Sequence, residues 1–230
     1  MEVNIAANIN MIKQRIAAAA LKCGRDPDSI KLLAVTKTIP TEYIIKAIDA
    51  GITMLGENYV QEARDKIAAI GSRAHWHMIG HLQTNKAKYV VTLFDYVHSV
   101  DRMELAQELD KRAGLINRKL NVLIEVNVSG EKSKSGIPAD DAPALIKQIA
   151  GLENLAMRGL MTMAPYSNNP ENARPYFSAL RNLRDNISRQ QISGIQMEEL
   201  SMGMTDDFEV AIEEGATIIR IGRAIFGKRR

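Results

Sequence analysis

Hydrophobic residues follow two different spacings along the chain. Near the N-terminus, Ile5, Ile9, Ile12 and Ile16 recur every three or four residues, which places their side chains on one face of an α-helix. Beyond this helix, short apolar runs typical of strands alternate repeatedly with segments of helical spacing. The eight predicted strands are residues 31–37, 53–56, 75–80, 95–100, 120–128, 155–163, 197–202 and 217–222.

Several of the intervening helices have recognisable ends. Thr41 is predicted to cap a helix that stops at Gly51. Asp101 and Glu104 have the spacing of a capping box, and the helix that follows them is predicted to end near Gly114. A longer amphipathic helix is predicted from the apolar residues Ala173, Tyr176, Phe177, Leu180, Leu183 and Ile187.

Eight strand-then-helix units in a chain of 230 residues predict a closed parallel barrel of the (β/α)8 or TIM type. The main alternative is an open doubly wound sheet, which usually has a glycine-rich turn after its first strand. The corresponding turn here, TKTIPTEY at 36–43, contains no glycine. Because no Pro/Gly-rich or low-complexity linker divides the chain, we predict a single α/β domain over residues 1–230, with an extra N-terminal helix.

The composition is typical of a soluble globular protein, with 46% hydrophobic and 25% charged residues. No apolar run approaches the roughly 18 residues that span a bilayer, so no membrane segment is expected. The net charge of +3 comes without a basic stripe or a nucleic-acid-binding motif, so nucleic acid is not an expected partner. Cys23 is the only cysteine, which excludes an internal disulfide and favours the cytoplasm.

The candidate chemistry lies at the C-terminal ends of the predicted strands, where barrels of this type have their active sites. The segments SMGMT at 201–205 and RIGRAIF at 220–226 follow or end the last two strands and are typical of a phosphate site. They supply hydroxyls, glycines that permit close approach of the backbone, and a short helix after Gly222. The alternative is that Gly203 and Gly222 serve only as turn residues.

Lys37 ends the first predicted strand, shortly after the apolar run LLAV. Burial lowers the pKa of a lysine, and the neutral amine can form a Schiff base with a carbonyl. Together with a phosphate site on the same face, this predicts a ligand with both an aldehyde and a phosphate. Pyridoxal 5′-phosphate (PLP) and open-chain sugar phosphates are such ligands. The alternative is that the Lys37 stem covers an apolar rim while its ammonium group reaches water.

Arg220 lies among isoleucines in the last predicted strand and needs a partner, because an unpaired buried charge is costly. As a permanent hydrogen-bond donor, its guanidinium would keep a pyridine nitrogen unprotonated. An ion pair with a core carboxylate, such as Glu199 or Glu125, explains the composition equally well.

Three histidines raise the question of a metal site. His75 and His77 share one face of a predicted strand, and His81 follows it. No carboxylate or cysteine accompanies them at ligand spacing. We therefore expect no metal and interpret His77 as a residue of the ligand pocket or the core.

Eight segments resemble one known family when taken in order. They are AVTKT, GENYVQEA, WHMIGHLQTNK, SVDR, EVNVSGEKSKSG, GLMTM, LSMGMTDDFEVAI and RIGRAIFG. Together they resemble the pyridoxal phosphate homeostasis protein family, from about residue 8 to 228. The motifs around Lys37, SMGMT and RIGRAIFG are intact. Thr36 and Thr205 stand where serine is common in the family, which is a conservative difference.

The resemblance implies a single barrel of the alanine racemase N-terminal domain type that holds PLP as a Schiff base on Lys37. It implies that Arg220 approaches the ring nitrogen and that Asn58 and His77 line the ring pocket. Around the phosphate it implies Ser201, Gly203, Met204, Thr205, Gly222 and Arg223.

The resemblance further implies a cytoplasmic monomer that carries or buffers PLP, without established catalytic turnover. Transient contact with PLP-dependent apo-enzymes is the protein partnership that such a role implies. Related racemases use a second domain and a tyrosine from a partner chain, and because the eight units account for the 230 residues, we expect no second domain here. A PLP-dependent racemase remains the alternative, and a lysine-dependent aldolase acting on a sugar phosphate is a third hypothesis.

Overall fold

All eight predicted strands form in the computed structural model, which describes residues 3–131 and 134–227. Their ends differ from the predicted ones by at most two residues, and one further two-residue strand follows the fifth. In chain order the strands are β1 (Lys31–Val35), β2 (Met54–Glu57), β3 (His75–Met78), β4 (Tyr96–Val100), β5 (Leu120–Asn127), β6 (Ile137–Pro138), β7 (Leu155–Met161), β8 (Ile195–Ser201) and β9 (Ile218–Ile221).

The strands other than β6 pair in parallel and close into a ring. β1 pairs with both β2 and β9, and the pairing of β4 with β5 completes the barrel. The ring order is β1-β2-β3-β4-β5-β7-β8-β9, so β1 and β5 lie on opposite sides. The predicted closed barrel is confirmed, and the open-sheet alternative is wrong.

Helices follow the strands and surround the barrel. The helices are α1 (Ile5–Lys22), α2 (Thr41–Asp49), α3 (Val60–Ile70), α4 (Ala87–Leu93), α5 (Met103–Gly114), α6 (Ala142–Ile149), α7 (Arg174–Ser188), α8 (Phe208–Glu213) and α9 (Arg223–Phe226). Short 3-10 helices occur at Pro27–Ser29, Gly71–Arg73, Thr84–Lys86 and Pro170–Ala173. None of the helices in the described residues is both long and apolar enough to cross a lipid bilayer.

The predicted N-terminal helix is confirmed as α1, whose four regularly spaced isoleucines are all buried. The Asn4 side chain caps it by accepting a hydrogen bond of 3.0 Å from the Ala7 backbone N–H. The long amphipathic helix is confirmed as α7, which buries Phe177, Leu180 and Ile187.

The two predicted side-chain caps are wrong. Thr41 is the first residue of α2, and the cap position is Pro40, which makes no side-chain cap. α5 begins at Met103 and has no side-chain cap either. Asp101 instead accepts a hydrogen bond of 2.5 Å from the Arg102 guanidinium, a stronger donor than a backbone N–H.

Apolar side chains fill two layers, one between the helices and the barrel and a smaller one inside the barrel. The inner layer comprises Leu33, Val35, Leu123, Met161 and Ile218. Gly56 of β2 makes room for it, because a Cβ atom there would lie 2.3 Å from Leu33 Cδ2. This packing closes the lower barrel and leaves space above it at the C-terminal ends of the strands.

Candidate functional site

A cavity of about 530 Å³ opens at the C-terminal ends of the barrel strands. Three predicted site residues, Lys37, Asn58 and Arg220, line it from the ends of β1, β2 and β9. Four more line it from the loops after β8 and β9, namely Met204, Thr205, Gly222 and Arg223. The structure therefore brings seven of the ten predicted residues to one cavity.

The other three predicted residues are buried and do not line the cavity. His77 of β3 pairs in register with Gly56 of β2. The chain reaches the cavity only two residues after Gly56, at Asn58, so His77 lies below the cavity. Ser201 lies beneath Arg220, to which it is hydrogen-bonded. Gly203 has φ +91°, and a Cβ atom there would lie 2.5 Å from the Ala211 side chain of α8. Turn geometry and helix packing therefore require Gly203, whereas Gly222 lies in the cavity wall.

Arg220 is buried in the cavity floor and held by two hydrogen bonds. Nη1 donates to Ser201 Oγ and Nη2 donates to the Thr162 carbonyl, each at 2.8 Å. Burial lowers the pKa of Arg220 to about 10, which leaves it a cation at neutral pH. Of its two suggested carboxylate partners, Glu199 is wrong, because that side chain pairs with Lys31 and with Thr217.

A chain of buried hydrogen bonds continues from Arg220 into the barrel. Because Ser201 Oγ accepts from Arg220, we assign its own proton to the bond of 3.0 Å with His98 Nδ1. His98 then carries its proton on Nε2 and donates to His77 Nδ1 at 2.9 Å. The ring of Tyr96 stacks on His77 with a centroid separation of 5.0 Å.

Both histidines of this chain are neutral at neutral pH. Burial lowers the pKa of His77 to about 3 and lowers the pKa of His98 well below its ordinary value. Arg220 is therefore the positively charged member of this series of hydrogen bonds, and the serine and histidines that follow it are uncharged.

Glu125 lies in the cavity wall on β5, across the barrel from Lys37. Its side chain is buried, and its Oε2 has no hydrogen-bond partner among the described residues. Burial, with a smaller contribution from Asp101, raises the pKa of Glu125 to about 7, while Arg220 opposes the rise. The sequence suggested Glu125 only as a partner for Arg220, to which it makes no hydrogen bond.

The elevated pKa of Glu125 predicts a pH-dependent stability difference. A carboxyl whose pKa is higher in the folded protein stabilises it at low pH, and that stability is lost as the pH rises through the folded pKa. Between pKa values of 4.5 and about 7 the loss amounts to about 3 kcal/mol. Relative to the wild type, Glu125→Gln should therefore gain up to this amount in free energy of unfolding between about pH 4 and pH 8.

Urea unfolding of the ligand-free protein across this pH range measures the difference, and comparison with the wild type removes the contributions of all other groups. Glu131→Gln, at an exposed carboxylate, controls for the introduction of the amide itself. A Glu125→Gln difference that stays constant with pH would contradict the elevated pKa.

Arg223 occupies the rim of the cavity rather than its floor. It is half-exposed and forms an ion pair with Asp206, donating from Nη2 to Oδ1 at 2.6 Å and to Oδ2 at 2.5 Å. Asp206 also lines the cavity, and the sequence offered no sign that it would. The geometry separates the two arginines, with Arg220 in the floor and Arg223 at the entrance.

The three histidines considered as metal ligands do not converge. His75 lies 3.6 Å from Asp95, and His81 lies 3.7 Å from Asp101 on the cavity rim. In residues 3–131 and 134–227, no group of three His, Cys, Asp or Glu side chains could hold a metal ion.

The chain is similar to known proteins over nearly its whole length. Residues 3–230 match the family model described as alanine racemase, N-terminal domain. The pyridoxal phosphate homeostasis protein of Aquifex aeolicus is 44% identical over 229 residues, which cover 99% of this chain and 100% of that protein.

Solved structures support the same relationship. PipY of Synechococcus elongatus PCC7942, solved with PLP bound, has a TM-score of 0.83 and 36% identity, covering 94% of this chain and 100% of that one. An alanine racemase of Clostridium difficile is only 14% identical (TM-score 0.77), covers 99% of this chain and 58% of its own, and shares the fold alone. The chain therefore belongs to the pyridoxal phosphate homeostasis protein family, and its barrel is of the alanine racemase N-terminal domain type.

Proposed function

We propose that this chain binds PLP in the cavity above the barrel and serves PLP homeostasis as a carrier or buffer. The observation on which the proposal rests is that Lys37, Thr205 and the buried Arg220 line one cavity of about 530 Å³. An amine complements the aldehyde of PLP, a buried cation complements its ring nitrogen, and a loop with hydroxyl and glycine residues complements its phosphate. The relatives matched across their whole length are named as homeostasis proteins and not as enzymes.

The residues present fit the cofactor. When bound, PLP supplies an aldehyde that can condense with a lysine amine, and we assign that amine to Lys37, as a Schiff base. We assign Arg220 to the ring nitrogen, because Nη1 and Nη2 bond within the protein whereas Nε has no hydrogen-bond partner among the described residues. The other cavity residues assigned to the cofactor are Asn58 beside the ring and Met204, Thr205, Gly222 and Arg223 around the phosphate.

The three predicted residues outside the cavity lining keep supporting roles in this proposal. Ser201 holds Arg220, and His77 ends the hydrogen-bonded chain that begins there. Gly203 allows the loop before α8 to turn toward the cavity.

Arg220 affects the electronic state of the ring but does not by itself distinguish a carrier from a racemase. A guanidinium is a permanent donor, so a pyridine nitrogen facing it stays unprotonated, which weakens electron withdrawal by the ring. The racemase alternative needs a second acid or base opposite Lys37, and Glu125 is a titratable side chain on that wall. Interconversion of L- and D-alanine by the loaded protein at per-second rates typical of enzymes would favour this alternative.

We further propose that residues 1–230 act as one PLP-binding domain, as a monomer in the cytoplasm. A single cysteine suits a reducing compartment. The exposed side chains of Met163, Tyr166 and Met204 at the cavity mouth are suited to transient contact with PLP-dependent apo-enzymes.

Addition of PLP is expected to stabilise the ligand-free protein, because a ligand that binds only the folded state raises the free energy of unfolding. At about 100 times the Kd the gain is about 2.7 kcal/mol. Thermal unfolding with PLP, pyridoxal and an open-chain sugar phosphate measures the effect and its specificity. No stabilisation by PLP would contradict the proposal. Greater stabilisation by the sugar phosphate than by PLP would also contradict it and would favour the aldolase hypothesis.

A further inference from the structure

A buried ionic cluster lies behind the strand end from which Lys37 projects. Lys66 of α3 is buried, and its Nζ donates to Glu57 Oε1 at 2.7 Å and to Glu62 Oε1 at 2.6 Å. We call Glu57, Glu62 and Lys66 the clamp cluster. None of the three lines the cavity, so the proposed binding of PLP gives them no direct role.

The clamp cluster holds the backbone on both sides of Lys37. Before it, Lys66 Nζ donates to the Thr36 carbonyl at 2.6 Å, and Thr36 Oγ1 donates to Glu57 Oε1 at 2.6 Å. After it, the Thr38 backbone N–H donates to Glu62 Oε1 at 2.5 Å. The residues preceding and following Lys37 are therefore tied to the same three side chains.

Thr38 has an unfavourable backbone conformation. Its φ is +63°, in the left-handed region that β-branched residues rarely adopt. Such a conformation persists only where the surroundings hold it in place, and the bond from Thr38 N–H to Glu62 is such a restraint. The direction in which the chain leaves β1, and with it the Lys37 side chain, depends on this turn.

We infer that Glu62 and Lys66 are positioning residues that hold the turn at 36–38 so that the Lys37 amine faces the carbonyl of its ligand. The inference rests on the proposed function, in which the Lys37 amine adds to an aldehyde carbon and one water leaves as the C=N bond forms. Glu57 links Lys66 to Thr36 and completes the cluster. Preorganisation of this kind acts on the reacting amine and leaves the contacts to ring and phosphate unchanged.

Two variants at one position separate positioning from general support of the fold. Glu62→Ala removes the acceptor for the Thr38 N–H, whereas the amide oxygen of Glu62→Gln can still accept it. Asp65→Ala is the control, because Asp65 is an exposed carboxylate on the same helix that pairs with its neighbour Arg64.

The readouts are the rate at which PLP becomes covalently attached to Lys37, measured by hydride trapping and mass spectrometry, and the Kd of pyridoxine 5′-phosphate, which has no aldehyde. Glu62→Ala should slow attachment about tenfold or more while the Kd of the analogue stays within about twofold. Glu62→Gln should retain most of the attachment rate, and Asp65→Ala all of it.

A further variant tests the turn itself, and a labelling experiment tests the ligand-free protein. Glycine adopts positive φ without strain, so Thr38→Gly in the Glu62→Ala background should recover part of the attachment rate. The rate at which Lys37 is acetylated in the ligand-free protein, measured by mass spectrometry, should differ from that of the wild type in Glu62→Ala and match it in Asp65→Ala.

An unchanged attachment rate in Glu62→Ala, or an equal loss of analogue binding, would overturn the positioning role while leaving PLP binding intact. Failure of Thr38→Gly to recover any of the rate would also overturn it. If the wild type forms no adduct at Lys37, the proposed function itself fails and the inference fails with it.

Discussion

Replacing Lys37 with alanine is expected to abolish covalent attachment of PLP and the visible absorbance that accompanies it. Arg220 and the loops after β8 and β9 still offer contacts to the ring and the phosphate, so weaker noncovalent binding should remain. We expect the Kd for PLP to rise at least about tenfold, or 1.4 kcal/mol. Absorbance titration and thermal unfolding with PLP measure the two effects.

Lys147→Ala is the matched control, because Lys147 is an exposed lysine on α6, outside the cavity. It should bind PLP and be stabilised by it as the wild type is. If PLP stabilised Lys37→Ala and the wild type equally, the binding of PLP would not depend on the Lys37 amine.

Replacing Lys66 with methionine is expected to destabilise the fold by about 3–5 kcal/mol, because the change removes one partner of a buried charge cluster. Glu57 is fully buried, and burial already raises its pKa, so the loss of Lys66 leaves a carboxylate without its counter-ion. Urea unfolding at neutral pH measures the change in free energy of unfolding.

Lys22→Met is the control, since Lys22 pairs with Glu213 at 2.6 Å through a side chain that is 72% exposed, and exposed pairs contribute little. Glu57→Gln added to Lys66→Met should recover part of the lost stability by removing the buried charge. A Lys66→Met variant as stable as the Lys22→Met variant would contradict this view of the cluster.

The fold could be predicted from the sequence because the two hydrophobic spacings map directly onto a barrel with surrounding helices. Ile5 through Ile16 mark one helix face, and each apolar run forms a strand whose ends vary by at most two residues. Helix caps were harder, because a cap depends on the exact residue at which a helix begins, and Thr41 is the first residue of α2 while Asp101 lies one residue before the cap position of α5. The guanidinium of Arg102 takes the Asp101 carboxylate before any backbone N–H does.

The candidate site followed from one rule about strand ends, which brings Lys37, Asn58 and Arg220 to the same cavity. The depth of a residue within the barrel could not be predicted from the sequence. The sequence therefore places His77 in the pocket, whereas the structure places His77 beneath the cavity. Glu62 and Lys66 stand four residues apart and look like an ordinary surface pair on a helix. Only the packing of α3 against the end of β1 buries Lys66 and turns the pair toward the backbone around Lys37.

The central claim is that Lys37 is the residue that holds PLP, and hydride trapping tests it most directly. Wild-type protein is incubated with PLP, reduced with borohydride, digested, and the modified peptide identified by mass spectrometry. One dominant adduct is expected, on Lys37. A dominant adduct on any other lysine, or none at all, would contradict it.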